Sequence, residues 1–124
     1  MKNIIIALII VLGFAGLYKL LSTNPSQTGV SDDVAELILY WGDGCPHCET
    51  VKDYIKANKS DEKTKIALKE VYYSKTNQKS LEESVKLCPE IDSSQGVGVP
   101  LAVVKATNQC LYGSEPIINW LSSR

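Results

Sequence analysis

The central part of the chain alternates between almost continuously apolar segments and segments whose apolar residues recur at helical spacing. Ala35–Trp41 has the apolar character of a strand that a sheet buries on both faces, and Ile66–Tyr73 and Val99–Lys105 are the next predicted strands. Pro46–Ala57 carries apolar residues three and four positions apart, which predicts an amphipathic helix. This alternation indicates an α/β fold.

The last third of the chain predicts a short helix, a hairpin and a final helix. Ser80 and Glu83 form a capping-box pattern, so we expect a helix to begin there and to end before Pro89. Gln109–Tyr112 is expected to pair with the strand before it, and Ser114 to cap the last helix. The complete order is βαβαββα.

The first 21 residues have a different composition. Ile4–Leu17, 14 residues, contains no charged or strongly polar side chain and follows a positive start at Lys2. That length fits a signal-peptide core, whereas a membrane-spanning helix needs about 20 residues. The apolar span extends to Leu21 if Lys19 places its ammonium group at the interface. We therefore expect residues 1–21 to be an uncleaved anchor; a cleaved signal peptide and a buried core helix are the alternatives.

Either targeting hypothesis places the remaining chain outside the cytoplasm, in a periplasm or at a cell surface. Lys2 favours this orientation by the positive-inside rule, although Lys19 on the other flank counts against it. Residues 22–31 are polar and are expected to form a flexible linker. Residues 32–124 are enough for one compact domain but not for two.

The charge of this domain excludes some classes of partner. Removing Lys2 and Lys19 from the 13 basic residues leaves 11 against 14 acidic residues from Asp32 onward, a formal charge of −3. No basic patch indicates binding to nucleic acid or to anionic lipid. No segment indicates a dimerisation module, so we expect a monomer.

Two cysteines separated by two residues carry the candidate chemistry. The motif Cys45-Pro46-His47-Cys48 follows the first predicted strand and opens the first predicted helix. The unpaired amides and positive dipole at a helix N-terminus favour a thiolate, which is the form that attacks disulfides, and Pro46 suits the first turn. We expect Cys45 to be the exposed attacking residue and the more buried Cys48 to resolve the mixed disulfide. His47 adds a hydrogen-bond donor and, when protonated, a positive charge.

The motif resembles the active site of DsbA-type oxidants, and Ala35–Leu121 resembles a short thioredoxin- or glutaredoxin-like domain with helices on both faces of its sheet. Gly98-Val99-Pro100, before a predicted strand, supports the resemblance. The resemblance implies a cis peptide bond at Pro100 beside the cysteines, and a Val99 backbone that pairs with the substrate chain. A proline that only opens a strand is the alternative. Trp41 is expected at the rim of the site.

The sequence also departs from these families. Leu39 occupies the position at which thioredoxin and DsbA carry a buried carboxylate, so rapid reduction of substrates is less expected. The glutathione-binding pattern of glutaredoxins is only faintly echoed at Gly113-Ser114-Glu115. Asp43 is the one carboxylate that the sequence places near the chemistry.

Cys88 and Cys110 are the other two cysteines. Because the total is even and the predicted compartment is oxidising, we expect a structural disulfide between them. A redox relay and two free thiols are the alternatives. A metal site is not expected, because Cys45, His47 and Cys48 crowd one helical turn and the cysteine spacing is unlike a zinc ribbon or finger. No cofactor is expected.

The combined prediction is a membrane-anchored, extracytoplasmic thiol–disulfide oxidoreductase. Its partners would be protein thiols and disulfides, and its direction that of an oxidant. The resemblance implies re-oxidation by a quinone-linked membrane protein similar to DsbB or to vitamin K epoxide reductase. A reductase or isomerase, and a non-catalytic metallochaperone that holds metal with its thiolates, are the alternatives.

Overall fold

The computed structural model describes residues 29–124, which form one mixed four-stranded sheet with strand order β2-β1-β3-β4. The strands and helices are β1 (Leu37–Trp41), α1 (Pro46–Asn58), α2 (Ser60–Lys63), β2 (Ile66–Glu70), α3 (Lys75–Val85), β3 (Leu101–Val104), β4 (Gln109–Tyr112) and α4 (Ser114–Ser122). β1 is parallel to β2 and antiparallel to β3, and β4 is antiparallel to β3. The predicted βαβαββα order is confirmed, with α2 as an additional short helix, and the outline is thioredoxin-like.

The sheet is covered on both faces because successive side chains of β1 point to opposite sides. Leu37 and Leu39 belong to one apolar cluster, and Ile38 and Tyr40 belong to another. The first cluster contains residues of α1 and α4: Val51, Ile55, Ile117 and Leu121. The second contains residues of α3: Leu81 and Val85. The layers are therefore two helices, the sheet, and one helix.

One edge of the sheet brings together the loops that matter for function. The parallel strands β1 and β2 both end at this edge, where Trp41 is paired with Glu70. Because β3 is antiparallel to β1, it begins here, with Leu101 paired with Tyr40. β4 ends here, with Tyr112 paired with Leu101.

β1 begins at Leu37 rather than Ala35, β3 spans Leu101–Val104 rather than Val99–Lys105, and three further element boundaries differ from the sequence prediction. α3 begins at Lys75 rather than at Ser80, because the Ser74 side chain accepts the hydrogen bond of the Asn77 amide and caps the helix. Ser80 lies inside α3, where its hydroxyl lies 2.9 Å from the hydroxyl of the fully buried Tyr40.

The other two differences are the C-terminal end of β2 and the start of α4. β2 ends at Glu70 instead of continuing to Tyr73. The N-cap of α4 is Gly113, and Ser114 is the first helical residue; no side-chain hydrogen bond occurs at this cap. The predicted capping role of Ser114 is therefore wrong.

The predicted anchor, residues 1–21, and most of the predicted linker, residues 22–31, lie outside the described residues. Among residues 29–124, no helix has the length and apolarity that crossing a bilayer requires. The end of the predicted linker contacts the sheet, since the Val30 amide donates to the Ile66 carbonyl at 3.2 Å. The domain boundaries stay predictions.

Candidate active site

The structure places the two cysteines of the Cys-x-x-Cys motif at the start of α1. Cys45 is the N-cap residue, Pro46 occupies the first turn, and Cys48 lies one turn into the helix. The two Sγ atoms are 2.6 Å apart, and the Cys48 amide donates to Cys45 Sγ at 3.4 Å. Since a disulfide has an S–S distance of about 2.05 Å, the pair closes into a disulfide with only a small movement of the side chains.

Both cysteines are more enclosed than a surface motif suggests. Cys48 is fully buried, and Cys45 exposes 9% of its surface. The expectation of an exposed Cys45 is therefore wrong. Its thiol lies against the Val99 carbonyl, 3.6 Å away, on a segment that is distant in sequence.

The surroundings of Cys48 raise the proton affinity of its thiol. Burial and, to a smaller extent, the adjacent Cys45 sulfur together raise the pKa of the Cys48 thiol to about 12, although the Gly42 backbone opposes the rise. At neutral pH Cys48 therefore keeps its proton, and its thiol donates to Cys45 Sγ. Two donors, the amide and the thiol of Cys48, point at the same sulfur atom.

A tight turn carries the chain from β1 to Cys45. Gly44 adopts φ +73°, a left-handed conformation that favours glycine, and the Cys45 amide donates to the Gly42 carbonyl at 3.2 Å. Asp43, between the two glycines, is exposed, and its amide donates to the Glu70 carboxylate at 3.4 Å. The turn is thus fixed both by its own backbone and by a side chain of β2.

Glu70 is a feature that sequence analysis missed. It is only 3% exposed, and its carboxylate also accepts the amides of Tyr72 at 2.6 Å and Tyr73 at 2.9 Å. These bonds end β2 and connect the loop after β2 to the turn before Cys45. Asp43 is therefore not the only carboxylate near the cysteines, because the buried Glu70 carboxylate accepts the Asp43 amide. The available signal was a charged residue at the end of a strand parallel to β1.

The segment before β3 lies beside Cys45. The Val99–Pro100 peptide bond is cis, and Pro100 is fully buried. The Pro100 carbonyl accepts the Gly113 amide at 3.0 Å, which connects this segment to the end of β4. Residues 55 positions apart in the sequence, Cys45 and Pro100, thus belong to one site.

Trp41, the last residue of β1, contacts α1, and the predicted position of its ring at the rim of the site stays a prediction. The Lys52 ammonium lies 3.9 Å from the centroid of the Trp41 ring and 3.0 Å from the Glu49 carboxylate, so α1 packs its charged side against Trp41. The buried Nε1 of Trp41 has no hydrogen-bond partner in the described part of the chain. His47 is exposed on the first turn of α1.

Cys88 and Cys110 form a disulfide with a Cα–Cα distance of 5.8 Å. The predicted bridge is confirmed, and it joins the segment after α3 to β4. No group of three or more His, Cys, Asp or Glu residues within 29–124 is arranged to hold a metal ion.

Comparison of the chain with protein-family models, with curated proteins and with solved structures found no match. The interpretation of the site therefore depends on its fold and its geometry. A thioredoxin-like α/β domain that presents a close cysteine pair at the start of a helix suggests thiol–disulfide chemistry.

Proposed function

We propose that the protein is a thiol–disulfide oxidoreductase that oxidises protein dithiols. The observation that carries the proposal is the pair of sulfur atoms 2.6 Å apart at the N-terminus of α1, one of them fully buried. The position of Val99 supports the same chemistry. Its carbonyl lies 3.6 Å from Cys45 Sγ, so a substrate chain attached to Cys45 would lie beside the Val99 backbone.

The reaction begins with the Cys45–Cys48 disulfide. A substrate thiolate attacks Cys45 Sγ, the Cys45–Cys48 bond breaks, and Cys48 leaves and takes up a proton. The second substrate thiolate then attacks the substrate sulfur of the mixed disulfide and releases Cys45 as a thiolate. The substrate gains one disulfide, and the protein gains two electrons.

The absence of a carboxylate at Leu39 supports the oxidant direction. In the opposite direction, Cys45 attacks a substrate disulfide and a Cys48 thiolate must then release the product. A thiol whose pKa is raised to about 12 supplies little thiolate at neutral pH, and Leu39 offers no carboxylate to remove its proton. In the oxidant direction the second substrate thiol resolves the mixed disulfide and Cys48 is the leaving group, so no group has to remove a proton from Cys48.

The location and the partners extend the proposal. Residues 1–21 would anchor the domain on the outer side of a membrane, which agrees with a Cys88–Cys110 disulfide, since such bridges persist in oxidising compartments. Re-oxidation would come from a quinone-linked membrane protein. An anchor raises the effective concentration of the domain near such a partner.

The redox potential tests the direction. Equilibration of the full chain with glutathione is expected to give a value closer to the −120 mV of DsbA than to the −270 mV of thioredoxin. A value near that of thioredoxin would overturn the oxidant proposal and favour a reductase or isomerase.

Trapping in cells tests the roles of the two cysteines. The Cys48→Ser variant should accumulate mixed disulfides, because the Cys45 thiolate can attack an existing disulfide of a substrate and displace one of its sulfurs, while no Cys48 thiol remains to release the product. The Cys45→Ser variant should abolish exchange. An active Cys45→Ser variant would contradict the assigned nucleophile. The proteins attached to the Cys48→Ser variant would identify the substrates.

A further inference from the structure

Two tyrosines lie on opposite sides of the cysteine pair at the same edge of the sheet. Tyr72 follows β2, which is next to β1 on one side, and Tyr112 is the last residue of β4, beyond β3 on the other. Cys45 and Val99, which follow β1 and precede β3, lie between them. The order along the edge is therefore Tyr72, Cys45, Val99, Tyr112.

Each tyrosine lies against a glycine, Tyr72 with its ring and Tyr112 with its hydroxyl. A Cβ atom at Gly42 would overlap the Tyr72 ring, and one at Gly98 would lie 2.5 Å from the Tyr112 hydroxyl. Both tyrosines nevertheless remain half exposed, at 52% for Tyr72 and 53% for Tyr112. Each ring thus covers backbone beside the reactive sulfur and presents its remaining surface to a ligand.

The loop that carries Tyr72 is held rigidly. The Glu70 carboxylate accepts the Tyr72 amide, the Asn77 side-chain amide donates to the Glu70 carbonyl at 2.8 Å, and the Gln78 side-chain amide donates to the Val71 carbonyl at 2.6 Å. An aromatic ring on a rigid loop loses little conformational entropy when a partner covers it.

The chemistry of this edge indicates what it binds. Apart from the exposed His47 beside Cys45, its surfaces are two aromatic rings and the uncharged backbone of Gly42, Val99 and Gly98, with the Glu70 carboxylate behind them. Glutathione, with two carboxylates, finds no complementary charge on these groups. An extended polypeptide offers peptide groups for the Val99 backbone and apolar side chains for the rings.

The electrostatic surroundings of Tyr72 agree with its position at the site. Desolvation raises the pKa of the Tyr72 phenol, and its electrostatic interactions with the cysteine pair and Glu70 raise it further. The phenol is therefore within electrostatic reach of the cysteine pair.

We propose that Tyr72 and Tyr112, on either side of the cysteine pair, select extended polypeptide segments in which apolar residues flank the target cysteines. This inference rests on the proposed function, because it names the substrate class of the same cysteine pair. The rings contact the flanking residues, and Cys45 Sγ exchanges with the substrate sulfur between them.

The test compares two reductants of the oxidised full chain. One is a dithiol peptide with leucine and phenylalanine beside its cysteines, and the other is dithiothreitol, which has no side chains to bind. We expect Tyr72→Ala and Tyr112→Ala each to lower the rate constant for the peptide about tenfold, as for loss of an aromatic contact of about 1.4 kcal/mol. The rate constant for dithiothreitol should change less than twofold.

Matched variants separate recognition from folding. Tyr73→Ala removes a neighbouring ring that is 80% exposed, and it should leave both rate constants unchanged. Tyr72→Phe and Tyr112→Phe keep the rings and should retain the rate with the peptide. Equal losses with both reductants, no loss with the peptide, or the same loss in Tyr73→Ala would overturn the inference while leaving the proposed function intact. A wild-type protein that oxidises neither dithiol would overturn both.

Discussion

At the scale of single residues, burial gives the two cysteines of one short motif different chemical roles. Cys48 points from α1 into the core, whereas Cys45 is the cap of the same helix and retains access to solvent. The spacing of the motif and the helical period predict which cysteine is the deeper one. They do not predict the contact between the Cys45 thiol and the Val99 carbonyl, because that contact joins distant parts of the chain.

The raised pKa of Cys48 has a consequence for the protein in which only Cys45 and Cys48 are reduced. Thiolate absorbance at 240 nm should show the second ionisation of the pair near pH 12. In the unfolded chain the Cys48 thiol ionises near pH 8.5. The unfolded state therefore binds fewer protons above that pH, and the free energy of unfolding should fall between about pH 8.5 and 12.

The Cys48→Ser variant is the control for this titration. It should lack the second ionisation and lose less stability over the same pH range. Two complete thiol ionisations below pH 10 in the wild-type protein would contradict the raised pKa of Cys48.

Glu70 shows why one part of the site could not be predicted from the sequence. Its three partners are the amides of Asp43, Tyr72 and Tyr73, and backbone amides have no sequence signature. Only the alignment of β1 with β2 brings the two loops within reach of one carboxylate. Pro100, in contrast, could be placed beside the cysteines, since the motif resemblance covers it.

At the scale of elements, local signals predicted α1 well and α3 less well. Pro46 and the apolar spacing of α1 specify its start directly. α3 offers two serine caps, and the sequence favoured the capping box of Ser80 and Glu83. The structure uses Ser74, because the buried Tyr40 hydroxyl binds Ser80 and Ser84 inside the helix. A tertiary requirement thus overrides a local pattern.

The choice of cap is measurable by urea unfolding. Ser74→Ala should lower the free energy of unfolding by about 1 kcal/mol, because the Asn77 amide loses its acceptor. Glu83→Ala, at an exposed position within α3, should change it by less than about 0.5 kcal/mol. A greater loss in Glu83→Ala than in Ser74→Ala would indicate that the helix begins at Ser80.

At the scale of the whole molecule, the spacing of apolar residues predicts the order of strands and helices along the chain. The pairing of the strands in the sheet decides which residues meet at the site. The cysteine turn, Glu70, Val99 and Tyr112 come from four parts of the chain that meet because four strands end or begin at one edge. The order of strands, and hence which loops become neighbours, follows from pairing that no single segment encodes.

The Cys88–Cys110 disulfide acts at this largest scale because it joins the segment leading to Val99 with β4. Its two cysteines are 22 residues apart, so the bridge restricts the unfolded chain over that length. Replacing both cysteines by serine should lower the free energy of unfolding by about 3 kcal/mol, as the chain-entropy model gives for a loop of this size. Urea unfolding of both proteins under non-reducing conditions measures the difference.

The matched control is the variant that carries both Cys45→Ser and Cys48→Ser. It removes a cysteine pair only three residues apart and should lower the free energy of unfolding less. Equal unfolding midpoints for the wild-type protein and the Cys88→Ser, Cys110→Ser variant would show that the bridge does not stabilise the fold.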